Sequence, residues 1–269
     1  MPPSHPLATA EPWNLVAGAY ATESLRHFDV YAKEALRLAA LPPGARVADV
    51  ACGPGTISLQ AAAAGARVDA IDISEAMLDE LAKRAQAAGL TAAFDARLGD
   101  GQKLPFESAA YDGAFSMFGL MFFPDRHAGL LELRRVLRPG GRAVISSWVP
   151  FEGPFGELMQ AASEVIPGLP LGAGRQPMGT ADEIVAEMTA AGLRDVRVEL
   201  VPYTFSAKSF ESFWASVLRT NAPLVLVRER LGAERWAEAA PQIRERVRAA
   251  LGDGPVELGR GAYLGVGVA

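Results

Sequence analysis

A glycine-rich turn and the acidic residue that follows it are the parts of this sequence whose types and spacing could do chemistry. The turn contains Gly53 and Gly55 and lies between an apolar run that ends at Val50 and an alanine-rich segment. Because glycine has no Cβ, backbone N–H groups at the start of the following helix can approach a polar or anionic ligand closely. Asp72 ends the next apolar run, roughly twenty residues beyond the turn, where a carboxylate can accept hydrogen bonds from both hydroxyls of a ribose. The pattern therefore favours a ligand that contains adenosine.

The elements that must position these residues alternate along the chain. Short apolar runs predict strands at 47–50, 67–72, 92–98, 111–117 and 142–148, and a sixth strand is expected at 195–205. The segments between the first five runs are helical in character, and Ser74 is expected to cap a helix that runs through Ala88. Strands that alternate with helices are typical of parallel βαβ units with right-handed crossovers. Since such sheets bind ligands at the carboxyl ends of their strands, we interpret Asp112, which enters a strand, as structural.

The ends of the chain and a breaker-rich stretch lie outside this alternation. Residues 2–12 are expected to be a mobile tail, followed by helices over 14–20 and 24–38. Prolines and glycines crowd residues 149–180, which predicts a long loop over the site with a short helical piece near 155–165. Residues 206–251 have the pattern of a helical block, in which Pro241 should divide the last helices.

Four motifs, in this order, make the chain resemble the class I S-adenosylmethionine-dependent methyltransferases. They are Asp49 to Thr56, Asp72 to Ser74, Gly99 to Gly101 with Leu104 to Phe106, and Arg135 to Gly141. An ordered set of motifs is far more specific than any one of them. Phe118 to Asp125, running into residues 130–137, is most similar to the small-molecule members of the ubiquinone- and menaquinone-biosynthesis type. The resemblance covers residues 11–150 well and the remainder loosely.

The resemblance implies an α/β fold, with a Rossmann-like, mostly parallel seven-stranded sheet flanked by helices and an added helical cap. The last strand, within residues 261–269, should insert antiparallel beside the fifth and sixth strands. The expected organisation is N-terminal helices covering the site at 1–40, an S-adenosylmethionine-binding core at 41–205 and 252–269, and the cap at 206–251.

The resemblance also implies a set of cofactor-binding residues. By it, Gly53 and Gly55 bring backbone to the methionine portion, Asp72 binds the ribose, and Asp100 meets the adenine amino group. Ala51 stands where many members have the first glycine of the turn, and the loop is expected to survive because alanine is small. The implied set is Tyr20, Asp49, Ala51, Gly53, Gly55, Thr56, Asp72, Ile73, Met77, Asp100, Gly101, Gln102, Met117 and Phe118.

The acceptor is expected to be a small, largely apolar or aromatic molecule, because the added segments 149–180 and 206–251 carry aromatic side chains but few polar clusters. The candidate substrate-binding residues are Trp13, Tyr20, Phe123, Trp148, Phe155 and Phe213. Two alternatives stay open. Trp13 and Tyr20 could be ordinary core aromatics, and the aromatics at helical spacing in the block, Phe210 and Trp214 especially, could be the core of the cap itself.

Composition and charge argue against several classes of partner. With 269 residues, a net charge of −5 and a pI near 5.4, the chain offers no basic face for nucleic acid. The single cysteine, Cys52, favours a reducing compartment, and residues 1–6 lack the basic and apolar regions of a secretory signal. The longest uncharged stretch, 50–66, is too polar for a membrane span. We therefore expect a cytoplasmic protein, whose oligomeric state the sequence does not fix.

Methyl transfer from a sulfonium is an in-line displacement, so holding donor and nucleophile in line supplies much of the acceleration without an obligatory acid or base. No catalytic residue is assigned, since His127, the histidine expected nearest the cleft, is interpreted as solvent-exposed. No metal is expected, because Ser116 to Leu120 offers no carboxylate after the fourth strand. Two alternatives remain. One is a nicotinamide-dependent oxidoreductase, although the turn lacks Gly-x-Gly-x-x-Gly; the other is a protein that binds S-adenosylmethionine without turnover.

Overall fold

A seven-stranded sheet forms the centre of the molecule in the computed structural model, which describes residues 5–150, 154–165 and 177–269. The strands along the chain are β1 (Arg46–Val50), β2 (Arg67–Asp72), β3 (Phe94–Leu98), β4 (Tyr111–Met117), β5 (Leu137–Trp148), β6 (Arg194–Val201), β7 (Thr204–Ala207), β8 (Val256–Gly259) and β9 (Ala262–Val268). The order in the sheet is β3-β2-β1-β4-β5-β9-β6, with β1 to β5 parallel and β9 antiparallel between β5 and β6. The predicted fold class and the antiparallel last strand are therefore confirmed.

Helices flank both faces of this sheet and also form the N-terminal segment and a separate C-terminal block. They are α1 (Ala10–Ala19), α2 (Asp29–Ala39), α3 (Thr56–Ala63), α4 (Glu75–Ala87), α5 (Arg126–Val136), α6 (Pro154–Val165), α7 (Ala181–Ala190), α8 (Phe210–Thr220), α9 (Ala222–Leu231) and α10 (Ala233–Leu251). Val47 packs into an apolar cluster with α2 and α3, whereas Ala48, the next residue of β1, packs into a second cluster with α5 and α7. Side chains alternate across a strand, so a strand with apolar residues at successive positions needs helices on both faces. Within the described ranges, no helix is both long and apolar enough to cross a bilayer.

The N-terminal stretch that was predicted to be a mobile tail is structured from His5 onward. A 3-10 turn spans Pro6–Ala8, and Nδ1 of His5 accepts a hydrogen bond from the N–H of Leu7 at 3.1 Å. Leu7 is buried, and its carbonyl accepts from the indole Nε1 of Trp13 at 3.0 Å. The prediction was wrong for residues 5–12 because Leu7 is buried in an apolar cluster that includes the distant helices α4 and α9 as well as α1. A π-helix, Tyr20–Ser24, and a second 3-10 turn then connect α1 to α2.

Two expectations about the C-terminal half were also wrong. β6 ends at Val201, before Pro202, and residues 204–207 pair with β8 in a separate two-stranded sheet. α10 continues through Pro241, which was expected to divide two helices. The buried residues of α10, Ala239, Ile243 and Val247, lie on both sides of the proline. Packing therefore holds the helix together despite the hydrogen bond that a proline removes.

The helical block packs around a core of its own. Phe210, Phe213 and Trp214 of α8 lie in one apolar cluster with residues of α9, α10 and the β7–β8 pair. Glu23 in the π-helix ties this block to the N-terminal helices, because it accepts hydrogen bonds from Nε of Arg219 at 2.7 Å and from the hydroxyl of Ser216 at 3.0 Å. The aromatics at helical spacing are thus the core of the block itself, the alternative that the sequence left open. The division of the chain into domains stays a prediction.

We predict that Gly265→Ala destabilises the fold by about 1–3 kcal/mol. Gly265 lies within β9, and a Cβ there would come within 2.5 Å of Ile184 Cγ2 and 2.8 Å of Met188 Sδ, both on α7. Gly259→Ala in β8 is the matched control, because a Cβ at Gly259 would meet nothing within 4 Å. Urea unfolding measures both variants. Equal stabilities would contradict the close packing of α7 on β9.

Candidate active site

A cavity lies at the carboxyl ends of β1 to β4, the edge of the sheet at which the sequence predicted a ligand. The turn after β1, the residues that follow β2 and β3, the loop after β4 and parts of the N-terminal segment form its wall. Of the cofactor residues that the sequence predicted, only Gly55 does not border the cavity. Those that do are Tyr20, Asp49, Ala51, Gly53, Thr56, Asp72, Ile73, Met77, Asp100, Gly101, Gln102, Met117 and Phe118.

The turn after β1 has left-handed backbone at three residues. The φ angles are +57° at Ala51, +52° at Gly53 and +85° at Gly55. A Cβ on Gly53 would meet nothing within 4 Å, so this glycine leaves open space beside the cavity. A Cβ on Gly55 would instead overlap Cδ1 of Leu81. Gly53 therefore keeps the backbone open to a ligand, whereas Gly55 lets α4 pack closely against the turn.

Asp49, in β1, is buried next to the turn. Its Oδ2 accepts hydrogen bonds from the backbone N–H of Ser58 at 3.1 Å and from the hydroxyl of Ser58 at 2.6 Å. Burial raises the pKa of Asp49 to about 7, against the lowering effect of the Ser58 bonds, and the charge of Asp72 adds to the rise. Asp49 therefore joins β1 to α3 and changes its charge near neutral pH.

Asp72, at the end of β2, connects three segments that are distant in sequence. Its Oδ2 accepts from the N–H of Gly53 at 2.8 Å, and its Oδ1 accepts from the N–H of Ser74 at 2.9 Å. Ser74 caps α4, as predicted, by accepting from the N–H of Met77 at 3.2 Å, and it donates its hydroxyl to Oδ1 of Asn14 in α1 at 2.6 Å. Burial raises the pKa of Asp72, and the backbone N–H bonds counteract this only in part.

Phe118, the residue after β4, is held in a strained conformation beside the cavity. Its φ is +58°, a region uncommon for bulky residues that costs of order 1–3 kcal/mol. Its N–H donates to the hydroxyl of buried Ser146 at 2.9 Å, and its ring stacks on Trp148 with 3.9 Å between ring centroids. Phe28 and Tyr31 complete the aromatic cluster, at centroid distances of 5.3 and 5.2 Å from Phe118. Since Phe28 and Phe118 border the cavity, this part of its wall is aromatic.

The cavity wall also contains residues that the sequence did not assign to cofactor or substrate binding. These are Leu7, Ala8, Phe28, Ala32, Cys52, Pro54, Ile57, Gly99, Gly119, Phe122 and Pro124. Phe122 and Pro124 lie within the motif from Phe118 to Asp125, which could have indicated them. Leu7 and Ala8 carry no local signal, because Leu7 reaches the cavity through a cluster that includes the distant helices α4 and α9, and Ala8 follows it in the chain.

The predicted substrate-binding residues are brought together only in part. Trp13, Tyr20 and Phe123 border the cavity. Trp148 lies against Phe118 and does not border it, and Phe213 belongs to the core of the helical block. The side chain of Phe155 lies outside the described residues, as do residues 151–153 and 166–176 of the loop predicted at 149–180. The substrate-binding set stays a prediction.

Other reactive side chains near the cavity show no sign of activation. Burial, together with the charges of Asp72 and Asp49, raises the pKa of Cys52, so its thiol is protonated at neutral pH. His127 is exposed on α5, as expected. In the part of the chain that the structure describes, no group of three His, Cys, Asp or Glu side chains is placed to hold a metal ion.

The chemistry of the wall fits the cofactor that the resemblance implies. Asp72 and Asp100 can accept hydrogen bonds from hydroxyl and amino groups, and Ile73 and Met77 offer apolar surface to a flat base. The open space at Gly53 leaves room beside the turn.

Comparison with protein families identifies part of the chain. A family described as a methyltransferase domain matches residues 47–141, from β1 into β5. This range contains the glycine turn, Asp72, Asp100 and Phe118, and therefore most of the cavity wall.

Individual relatives match similar parts of the chain. An uncharacterised protein of Mycobacterium tuberculosis is 36% identical over 154 residues, which cover 57% of this chain and 55% of the relative. A demethylmenaquinone methyltransferase of Beutenbergia cavernae is 37% identical over 123 residues, which cover 44% of this chain and 49% of the relative. The chain thus spans about half the length of these curated relatives. The crystal structure of the cyclase SpnF shares the fold, with a TM-score of 0.60 at 19% identity over 96% of this chain and 94% of that one.

We predict that Ala51 and Gly119 are energetically coupled. Gly119 has a φ of −101°, which any residue can adopt, but a Cβ there would overlap the Cβ of Ala51. Gly119→Ala should therefore destabilise the protein by about 1–3 kcal/mol. In an Ala51→Gly background the same change should cost less than about 0.5 kcal/mol, because the obstructing methyl group is gone.

A double-mutant cycle measured by urea unfolding gives this coupling energy. Gly259→Ala, introduced into both backgrounds, is the control for a glycine whose surroundings do not change. Effects of Ala51→Gly and Gly119→Ala that add within about 0.5 kcal/mol would show that the two residues do not constrain each other.

Proposed function

Since this chain carries a class I S-adenosylmethionine-dependent methyltransferase domain, we propose that it transfers a methyl group to a small, largely apolar or aromatic acceptor. One observation carries the proposal. The residues that match the family include the glycine turn, both carboxylates, Asp72 and Asp100, and Phe118, and all of these border the cavity. A ligand pocket at the carboxyl ends of parallel strands is the position at which such sheets bind nucleotides.

The cofactor of this domain is S-adenosylmethionine, which when bound supplies a methyl group on a positively charged sulfur. We assign Asp72 to the ribose hydroxyls and Asp100 to the amino group of adenine. Ile73 and Met77 flank the base in this assignment, and the backbone around Gly53 approaches the methionine portion. The support is that all of these residues border one cavity, with Asp72 fixed by two backbone N–H groups.

The chain's own contribution to the reaction is alignment and the exclusion of water. An in-line displacement needs donor and nucleophile on one line, and it has no obligatory acid or base. Met117, the last residue of β4, and Phe118, the next residue, border the cavity, and the stacking of Phe118 on Trp148 supports this wall. Such a wall restricts the directions from which an acceptor can approach. Its apolar side chains also keep water away from the reacting atoms.

An apolar or aromatic acceptor is supported by the residues beside this wall. Phe28, Ala32 and Ile57 border the cavity together with Phe118, and all are apolar. The name of the Beutenbergia relative, a demethylmenaquinone methyltransferase, supports an acceptor of the same class. The net charge of −5 gives no support to a nucleic-acid acceptor.

In this proposal the N-terminal helices cover the site and the helical block acts as a cap that holds them in place. α1 packs against α9 in a shared apolar cluster, and Glu23 bonds to Arg219 and Ser216 of α8. The helical block therefore affects the part of the cavity that binds the methyl acceptor by holding the N-terminal helices in place. Its own aromatic core does not contribute directly. A cytoplasmic location is part of the proposal, in keeping with a free, buried Cys52.

Calorimetric titration with S-adenosylhomocysteine should give 1:1 binding, and Asp72→Asn should weaken it about 10- to 100-fold. The estimate corresponds to the loss of a charge-assisted hydrogen bond to the ribose. Asp79→Asn, an exposed carboxylate on α4, is the matched control and should bind as the wild type does. NADH serves as the rival ligand, and preferential binding of NADH would support an oxidoreductase instead.

Transfer itself is tested with S-adenosylmethionine that carries a labelled methyl group. The wild type should move the label to an apolar low-mass compound in a cell extract, and Asp72→Asn should move it more slowly at limiting cofactor. Binding of the cofactor without transfer to any fraction of the extract would count against catalysis.

Affinity for S-adenosylmethionine, relative to S-adenosylhomocysteine, should rise between pH 6 and pH 8. Because burial raises the pKa of Asp49 to about 7, this carboxyl is mostly neutral at pH 6 and mostly ionised at pH 8. Only the methylated form carries the sulfonium charge, which the ionised carboxylate should favour by about 1 kcal/mol, or roughly fivefold. Asp49→Asn should flatten the dependence. Titrations at both pH values measure it, and a constant affinity ratio in the wild type would contradict the role given to Asp49.

A further inference from the structure

Gln102 bridges two parts of the cavity wall. Its side-chain amide nitrogen donates to Oδ1 of Asp100 at 2.9 Å and to Oδ2 of Asp100 at 3.1 Å. Its side-chain oxygen accepts from the backbone N–H of Asp125 at 2.8 Å. The backbone N–H of Gln102 also donates to Oδ1 of Asp100, at 2.8 Å. One glutamine side chain therefore joins the residues after β3 to the start of α5.

These partners fix which way the amide points. The carboxylate of Asp100 only accepts hydrogen bonds, and the backbone N–H of Asp125 only donates one. Turning the amide over would set oxygen against oxygen at one end and N–H against N–H at the other. The orientation of Gln102 is therefore determined by its surroundings, and it directs two donors, its side-chain and backbone N–H groups, at Asp100.

The carboxylate of Asp100 is otherwise poorly restrained. Asp100 is exposed and borders the cavity, and among the described residues its carboxylate would, without the Gln102 side chain, keep only the bond from the backbone N–H of Gln102. A single bond to Oδ1 leaves the plane of the carboxylate free to turn. The side-chain amide bonds to both oxygens and so fixes that plane. A hydrogen-bond acceptor that is held in one orientation before the ligand binds loses less conformational freedom on binding.

The bond between the side-chain oxygen of Gln102 and the N–H of Asp125 connects to the other side of the cavity, the loop after β4. Asp125 caps α5 by accepting from the N–H of Ala128 at 2.9 Å, and it directly follows Phe122 to Pro124, which border the cavity. Phe123 also packs against Gly101, where a Cβ would come within 2.5 Å of its ring. The bond to Asp125 thus holds the loop after β4 against the residues after β3.

We propose that Gln102 is a positioning residue that sets the specificity for adenine by orienting the carboxylate of Asp100 towards the amino group of the base. This inference rests on the proposed function, because it requires adenosine in the cavity. A purely structural role, in which Gln102 only ties the loop to the strand end, would act on every nucleoside equally. The two roles therefore differ in base selectivity.

The test compares dissociation constants for S-adenosylhomocysteine and S-inosylhomocysteine, in which an oxygen replaces the amino group of the base. The wild type should prefer the adenine compound by about tenfold or more. With the inosine compound the hydrogen bond to the charged carboxylate of Asp100 is lost, and the oxygen of the base faces a carboxylate oxygen. Asp100→Ala should abolish this preference. Gln102→Leu should reduce it about 3- to 10-fold, mainly by weakening S-adenosylhomocysteine binding.

Gln102→Glu tests the bonds to Asp100 separately from the bond to the N–H of Asp125. The glutamate keeps an oxygen for the N–H of Asp125 but sets a carboxylate against Asp100, so it should lose base preference as Gln102→Leu does. A role confined to the loop predicts instead that Gln102→Glu keeps the wild-type preference. Gln86→Leu, an exposed glutamine on α4, is the matched control and should keep both constants.

The outcomes distinguish this inference from the proposed function. A wild type that binds neither compound would overturn the proposed function, and the inference with it. A wild type that binds S-adenosylhomocysteine, with an adenine preference unchanged in Gln102→Glu, would overturn the inference alone. Preference retained in Asp100→Ala would do the same, because Asp100 would then not be the group that recognises the base. Thermal unfolding checks that each variant is folded. If Gln102→Leu does not fold, the base preference of Gln102→Glu alone tests the inference.

Discussion

The buried carboxylate of Asp72 is the interaction on which the rest of the site depends. A carboxylate without partners in an apolar interior is costly, so its oxygens must receive hydrogen bonds. Here they come from the backbone N–H groups of Gly53 and Ser74, which belong to different segments of the chain. Ser74 in turn donates to Asn14 of α1. Asp72 and Ser74 together thereby connect the turn after β1, the start of α4 and helix α1.

Strain is concentrated at the same edge of the sheet. Ala51 and Phe118 both have positive φ, both border the cavity, and Gly119 lies next to both of them. A left-handed backbone costs about 1–2 kcal/mol for a residue with a side chain. At Phe118 the hydrogen bond to Ser146 and the stacking on Trp148 compensate for this cost. The geometry of the cavity wall is therefore maintained by interactions outside the cavity, which is why Ser146 and Trp148 matter without bordering it.

What the sequence could predict follows from how local each signal is. The strands β1 to β4, the cap at Ser74 and the glycine turn depend on a few neighbouring residues, and all were predicted close to their observed positions. The end of β5 was predicted as well, but this strand begins at Leu137 and not at Arg142. The burial of Leu7 depends on α4 and α9, so a segment with prolines looked like a tail. The bridge from Gln102 to the N–H of Asp125 likewise joins residues whose proximity only the folded sheet creates. The aromatics of α8 had the spacing of a packed helix, and spacing alone could not decide whether they face a core or a ligand.

The way in which the cap is attached determines how the cavity can open. Glu23 with Arg219, and Glu11 with Arg230 at 2.8 Å, are ion pairs at the surface, which contribute about 0–1 kcal/mol each. The apolar cluster that joins α1, α4 and α9 is buried, and burial of an aliphatic side chain contributes about 1.5–3 kcal/mol. Separating α1 from α9 therefore costs more than breaking the ion pairs.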